Sequence, residues 1–220
     1  MSIIGYINKF QQQYPVIKLK LLGELDYIDQ KDIELLLGDL LLNNLWTLNL
    51  NVVKDKLMLN SWVDKLILKK CWPNKLEVSI IYNKPIAVWN DNFFLTASGK
   101  ILYSTKNELK LKNLNLPKFY GETGKENLLL NTYLLLLEKL SSIGLLVERL
   151  DFKQDQGIVA LLNNNIKLKL GTFDLSDRIM RFIVAYKKKL SPSISDISYI
   201  DLRYTNGVAV AWILKDMNVE

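Results

Sequence analysis

Ile200-Asp201-Leu202-Arg203-Tyr204-Thr205-Asn206-Gly207-Val208-Ala209-Val210-Ala211-Trp212 reads as two strands around a turn, and it sets the class of the C-terminal half of the chain. Upstream, Ile197, Tyr199, Asp201 and Arg203 alternate with Ser198, Ile200, Leu202 and Tyr204, the period-two pattern of a half-buried strand. Downstream, small and β-branched residues run from Val208 to Trp212. Asn-Gly supplies the positive φ angles of a two-residue hairpin, so the spacing predicts a tight terminal hairpin turning at Asn206-Gly207. A terminal strand that exposes Arg203, Tyr204 and Trp212 has the makings of an edge that accepts a strand from a partner.

The rest of the composition narrows the chemistry. At 220 residues and 49% hydrophobic content, the chain is long and apolar enough for one large or two small packed domains. Its net charge of +6 permits anionic partners, but the charge is dispersed. The one cluster, Lys187-Lys188-Lys189, sits where cations complement a helix C-terminus, so nucleic-acid binding is not expected. The chain has no histidine, which removes Ser-His-Asp and Cys-His catalysis and histidine metal ligands together. The single cysteine, Cys71, forms no internal disulfide and reads as an inert thiol beside Trp72. Gly121-x-x-Gly124-Lys125 lacks the four-residue gap and the Ser/Thr of a phosphate loop, and Asp174 with Asp177 reads as helix capping. The expectation is a protein without catalytic residues, cofactor or metal.

Taken in order, Val16 to Leu22 is a strand, and Asp29 caps a helix with the stripe Ile33, Leu36, Leu37, Leu40. Asn49 or Asn51 caps a second helix carrying Val52, Val53 and Leu57. Lys65–Trp72 and Leu76–Tyr82 then form two strands about Pro73-Asn74-Lys75. This β-α-α-β-β order makes helices cover one face of a three-stranded sheet. Beyond Pro85 comes a meander of three short strands (86–89, 93–96, 100–103), then a polar loop over 106–115. A helix over about 126–142 has the capping-box spacing at Thr123-Gly124-Lys125-Glu126 and stops at Gly144. Three strands (148–152, 158–162, 166–170) precede a helix over about 175–190 with Asp174 as N-cap, and the terminal hairpin closes the chain. The fold class is α+β: a small β-α-α-β-β domain, then a larger mixed domain with an antiparallel sheet and two flanking helices. No window reaches the roughly 20 apolar residues of a membrane-spanning helix. Ile3, Ile4, Tyr6, Ile7 and Phe10 do form an apolar face at helical spacing.

Asp201-Leu202-Arg203-Tyr204 with Asn206-Gly207 and Trp212 resembles the end of the FtsQ/DivIB family of bacterial cell-division proteins. Trp62-Val63, Trp72-Pro73-x-x-Leu76, Pro85-Ile86-Ala87-x-Trp89-Asn90, Leu116-Pro117-x-x-Tyr120-Gly121, Ile166-Lys167-Leu168-x-Leu170-Gly171 and Arg178-x-x-Arg181-Phe182 follow the same family's order over about 15 to 214. The resemblance implies a lead-in (1–14) after a transmembrane helix, a POTRA domain (15–83), a β-domain (84–215) and a short tail (216–220). It implies a divisome scaffold, membrane-anchored in full-length form, with its bulk in the periplasm at the septum. Implied partners are the periplasmic segments of FtsB and FtsL, with FtsK among further division proteins. On this resemblance FtsB adds a strand at the C-terminal edge, using Arg203, Tyr204, Asn206, Gly207 and Trp212. Lys65, Lys69 and Lys70 mark a possible recruitment edge on the POTRA domain, or a guard against aggregation. Asp155-Gln156-Gly157 departs from the family's basic pattern before Ile158, so no charged contact to FtsB is carried over there. The alternative reading is a POTRA-type peptide-docking module of an outer-membrane assembly or secretion system.

Overall fold

Stretches that alternate at period two form the sheets, and the leucine-striped segments between them form the helices. The structure, a computed structural model, describes residues 17–22, 28–42, 44–103 and 114–213. The lead-in at 1–14, nearly all of the loop over 106–115 and the tail at 216–220 therefore lie outside the described residues. The chain divides into two compact units, Met1–Lys84 with Leu102–Leu114, and Pro85–Ile101 with Asn115–Glu220.

In the first unit, β1 (Lys18–Leu22), α1 (Gln30–Leu37), α2 (Asp39–Leu42), α3 (Leu50–Met58), β2 (Val63–Cys71) and β3 (Lys75–Tyr82) follow in order. The sheet order is β1-β3-β2, with β1 parallel and β2 antiparallel to the central β3. Alternation buries Leu76, Val78 and Ile80 of β3 under the helices, which contribute Ile33, Leu37, Val53 and Leu57. Asn49 is the cap that the sequence left open between two positions, its side chain accepting from Asn51 N at 2.9 Å. Asn49→Ala removes that acceptor and is expected to cost about 1 kcal/mol, read as a lower urea midpoint with an unchanged slope. Asp29 stands at the N-cap of α1 but makes no capping hydrogen bond through its side chain.

The second unit is built on β4 (Pro85–Trp89), β5 (Phe93–Thr96), β6 (Ile101–Tyr103), β7 (Lys118–Tyr120), α4 (Glu126–Leu140), β8 (Val147–Lys153), β9 (Gly157–Leu162), β10 (Lys167–Gly171), α5 (Leu175–Ala185), β11 (Ile197–Asp201) and β12 (Ala209–Trp212). Their sheet runs β12-β11-β10-β9-β8-β7-β4-β5-β6, its last strand passing at Leu102 into residues counted with the first unit. The expected antiparallel sheet is in fact mixed: β4–β7, β7–β8 and β10–β11 are parallel. Helices explain two of the three: α4 connects β7 to its neighbour β8 and α5 leads from β10 to its neighbour β11, the crossover that parallel strands require, whereas β4 and β7 are separated by β5 and β6. The two helices pack on each other and on β8 and β10, over a core of Leu150, Ala160, Leu168, Leu170, Phe182 and Ile200.

One capping expectation fails, and another holds in position only. Lys125, not Thr123, occupies the N-cap of α4, two residues later than the capping box requires, and makes no side-chain cap bond; Lys125 N donates to Glu122 O. Asp174 does stand at the N-cap of α5, but in a left-handed conformation (φ 50°) and without a side-chain cap bond. Its carbonyl accepts from Arg178 N. The helix expected over 175–190 is α-helical only to Ala185 and continues as a π-turn through Leu190.

Candidate strand-acceptor edge

β12 is short because few of its residues have anything to bury: Ala209 and Trp212 are exposed, and only Val210 packs against the core. It pairs with β11 in the register Asp201↔Ala209, Ile200↔Val210, Tyr199↔Ala211 and Ile197↔Trp212. Among the described residues nothing lies beyond it, so β12 forms one edge of the sheet. One row of its backbone N–H and C=O groups therefore faces outward.

The connection from Asp201 to Ala209 corrects the sequence reading. It is not a two-residue hairpin at Asn206-Gly207: pairing stops at Asp201, so residues 202–208 form a longer loop, and neither Asn206 nor Gly207 takes a positive φ. Leu202 is fully buried and its N–H bonds Lys169 O at 2.9 Å, drawing the chain toward β10 instead of across to β12. Two arginines then fix the loop at Arg203 and Tyr204. Arg178 Nη1 donates to Leu170 O at 2.6 Å and Nη2 to Arg203 O at 3.4 Å, while Arg181 Nη2 donates to Tyr204 O at 3.0 Å. Three residues apart on α5, both point from one helical face. Sequence reasoning finds Arg178 and Arg181 only as part of a family string. The signal is there in two arginines at i and i+3 on a helix rich in apolar residues.

Arg203 is among the residues expected to meet a partner, but its guanidinium is already engaged within the chain. Nε donates to both Asp201 oxygens (2.9 and 3.1 Å) and Nη2 to Oδ2 at 2.7 Å, with Arg203 N on Oδ1 at 3.0 Å. These donors hold the Asp201 carboxyl below its ordinary 3.8 against the opposing effect of burial. A carboxyl depressed in the folded state adds stability above its unfolded value, and that contribution is lost as pH falls through the folded value. Asp201→Asn is therefore expected to lower the unfolding free energy by about 1 kcal/mol at neutral pH, a figure discounted because Arg203 is well solvated. The gap to wild type should close as the pH drops below 3.8 in urea titrations. A gap independent of pH would show that shape, not charge, is what Asp201 supplies.

Tyr204 and Trp212 are 61% and 54% exposed. Tyr204 lies in the 202–208 loop that leads into Ala209, and Trp212 is the last residue of β12, opposite Ile197. Of the lysines on the other sheet, Lys65 and Lys69 alternate onto the face of β2 away from the helices, whereas Lys70 lies on the opposite face and reaches Trp46 O at 3.4 Å. β2 is itself an edge strand. Among the described residues no cluster of potential metal ligands occurs, and no helix is long and apolar enough to cross a membrane.

Comparison with known proteins covers both units. Residues 87–203 match the family model "Cell division protein FtsQ/DivIB, C-terminal", and residues 14–81 match "POTRA domain, FtsQ-type". The chain is 31% identical to "Cell division protein FtsQ" of Escherichia coli (strain K12), over 96% of this chain and 77% of that protein. It is 30% identical to the protein of the same name from Vibrio cholerae, over 92% and 76%. The one from Haemophilus influenzae is 29% identical, over 90% and 78%.

Proposed function

The chain belongs to the FtsQ/DivIB family of cell-division proteins, and from that premise we propose that it is a non-enzymatic scaffold of the divisome that binds the periplasmic segments of FtsB and FtsL. FtsB adds a strand to the outer edge of β12, and Tyr204 and Trp212 cover the apolar side chains at its two ends. The observation that carries this reading is the outermost position of β12 combined with two large exposed aromatics, one in the loop leading into it and one at its last residue. Strand addition takes its affinity from backbone hydrogen bonds and its specificity from such side-chain anchors. Arg203 acts as a positioning residue, since its guanidinium fixes the start of the 202–208 loop through Asp201. Asn206 and Gly207 lie in the same loop and keep bulk away from the edge. On this reading the full-length protein is anchored by a single helix in the inner membrane at the septum, and its periplasmic first unit receives FtsK or another division protein at the β2 edge carrying Lys65 and Lys69.

Calorimetric titration of the chain with the extracytoplasmic segment of FtsB, with and without FtsL, tests the proposal. Saturable binding is the expected result. A competent FtsB segment that fails to bind even with FtsL present would overturn it.

A further inference from the structure

We propose that the end of the first unit bearing Trp46 and Trp72, with the lysine-rich sheet face beside it, is a contact site for an anionic lipid surface. Trp46 and Trp72 are 62% and 52% exposed, yet their rings lie against each other with centroids 4.1 Å apart and planes tilted by 41°. Trp46 sits in a turn closed by Asn44, whose Oδ1 accepts from Thr47 N at 3.0 Å, and its carbonyl accepts from Lys70 Nζ. Trp72 begins the turn between β2 and β3. A soluble surface has no use for a fixed pair of solvated indoles, whereas the headgroup region of a bilayer suits an apolar ring that carries one N–H.

Charge identifies the occupant. Register and alternation put Lys18, Lys20, Lys65, Lys69 and Lys75 on the face of the sheet away from the helices, and Glu77 is the acid that the same alternation places among them. Glu77 bonds Lys75 at 2.9 Å and Lys20 at 3.4 Å, and Lys69 stands opposite it in the register. A broad positive excess thus adjoins the indole pair, because Lys18 and Lys75 form the last row before the Trp72 turn and Lys18 N bonds Asn74 O. The polypeptide also enters the unit at this end, where Ile17 N bonds Leu41 O. Upstream in sequence lies the apolar pattern of Ile3, Ile4, Tyr6, Ile7 and Phe10. Paired tryptophans and an excess of lysine at the end where an apolar-patterned sequence joins the unit are the components of an interfacial membrane contact.

The test is co-sedimentation of the full chain with vesicles of equal parts phosphatidylglycerol and phosphatidylcholine, and with pure phosphatidylcholine, following the tryptophan emission. Binding to the anionic vesicles with a blue shift is expected, together with much weaker binding to the neutral ones. Trp46→Ser/Trp72→Ser and, separately, Lys18→Gln/Lys20→Gln/Lys69→Gln should each weaken the partition by about tenfold or more at low ionic strength. Trp212→Ser, which alters the β12 edge, should leave it unchanged, so this result stands or falls independently of FtsB binding. No sedimentation with anionic vesicles, or equal loss in the Trp212 variant, would overturn the proposal.

Discussion

Gly157→Ala is expected to destabilise the second unit by about 3 kcal/mol. Gly157 has φ +72°, where an L side chain costs about 1–2 kcal/mol. Its Cβ would also lie 2.7 Å from both the carbonyl carbon and the Cα of Gly171. That obstacle is backbone, in the very place where the β9–β10 register shifts between Lys169 and Gly171. Relief requires moving β10 or β9, and overpacking of this kind typically costs a further 1–3 kcal/mol or so. Gly144 provides the control. Its φ is +70°, but a Cβ there meets nothing within 4 Å, so Gly144→Ala should show only the conformational cost. Urea unfolding of both variants separates the two contributions. Equal losses at 144 and 157 would mean that the close approach of the two strands contributes nothing.

The second large effect concerns the proposed β12 edge. Tyr204→Ala and Trp212→Ala should each weaken FtsB binding by about 2 kcal/mol, roughly thirtyfold, because aromatic anchors dominate interfaces of this kind. Folding should be spared, since both side chains are more than half exposed. Because Tyr204 lies in the loop before the strand and Trp212 is its last residue, their losses should add, giving on the order of a thousandfold in the double variant. Unchanged affinity in both single variants would refute the placement. Strong non-additivity would mean instead that one partner side chain spans the whole edge.

The element order was legible because period-two and period-3.6 patterns leave direct marks in a sequence. Alternation, β-branched runs and turn residues located the described strands other than β7, whose Lys118-Phe119-Tyr120 entered only as part of a family string, and the apolar stripes located the main helices to within a few residues. What stayed hidden was decided at a distance. Asn206-Gly207 has the local chemistry of a tight turn, yet the burial of Leu202, its N–H bond to Lys169 O and the grip of Arg178 and Arg181 on the loop carbonyls override it. Thr123-Gly124-Lys125-Glu126 has capping-box spacing, but the chain enters α4 through a turn at Glu122 and the spacing slips. The parallel pairings could not be seen from strand patterns alone, although the two helices placed between strands were the cause of two of the three. At the candidate site the exposed aromatics were visible as residue types. The Asp201–Arg203 pair was not, because nothing in a sequence says whether an arginine is already spoken for.

The strand order has a consequence for the chain as it is made. β12 comes after every other described strand in the order of synthesis, and its described neighbour in the sheet is β11. Ribosomes deliver residues from the N-terminus, so the sheet from β4 through β11 can assemble before Ala209 to Trp212 emerge. Until then the outermost strand is β11, with its own backbone row unpaired. A partner that recognises the β12 edge therefore meets a surface that exists only once translation has passed Trp212, and truncated or half-made chains offer it no dock. If β12 is the recognition strand, its place after the other described strands ties partner binding to completion of the sheet.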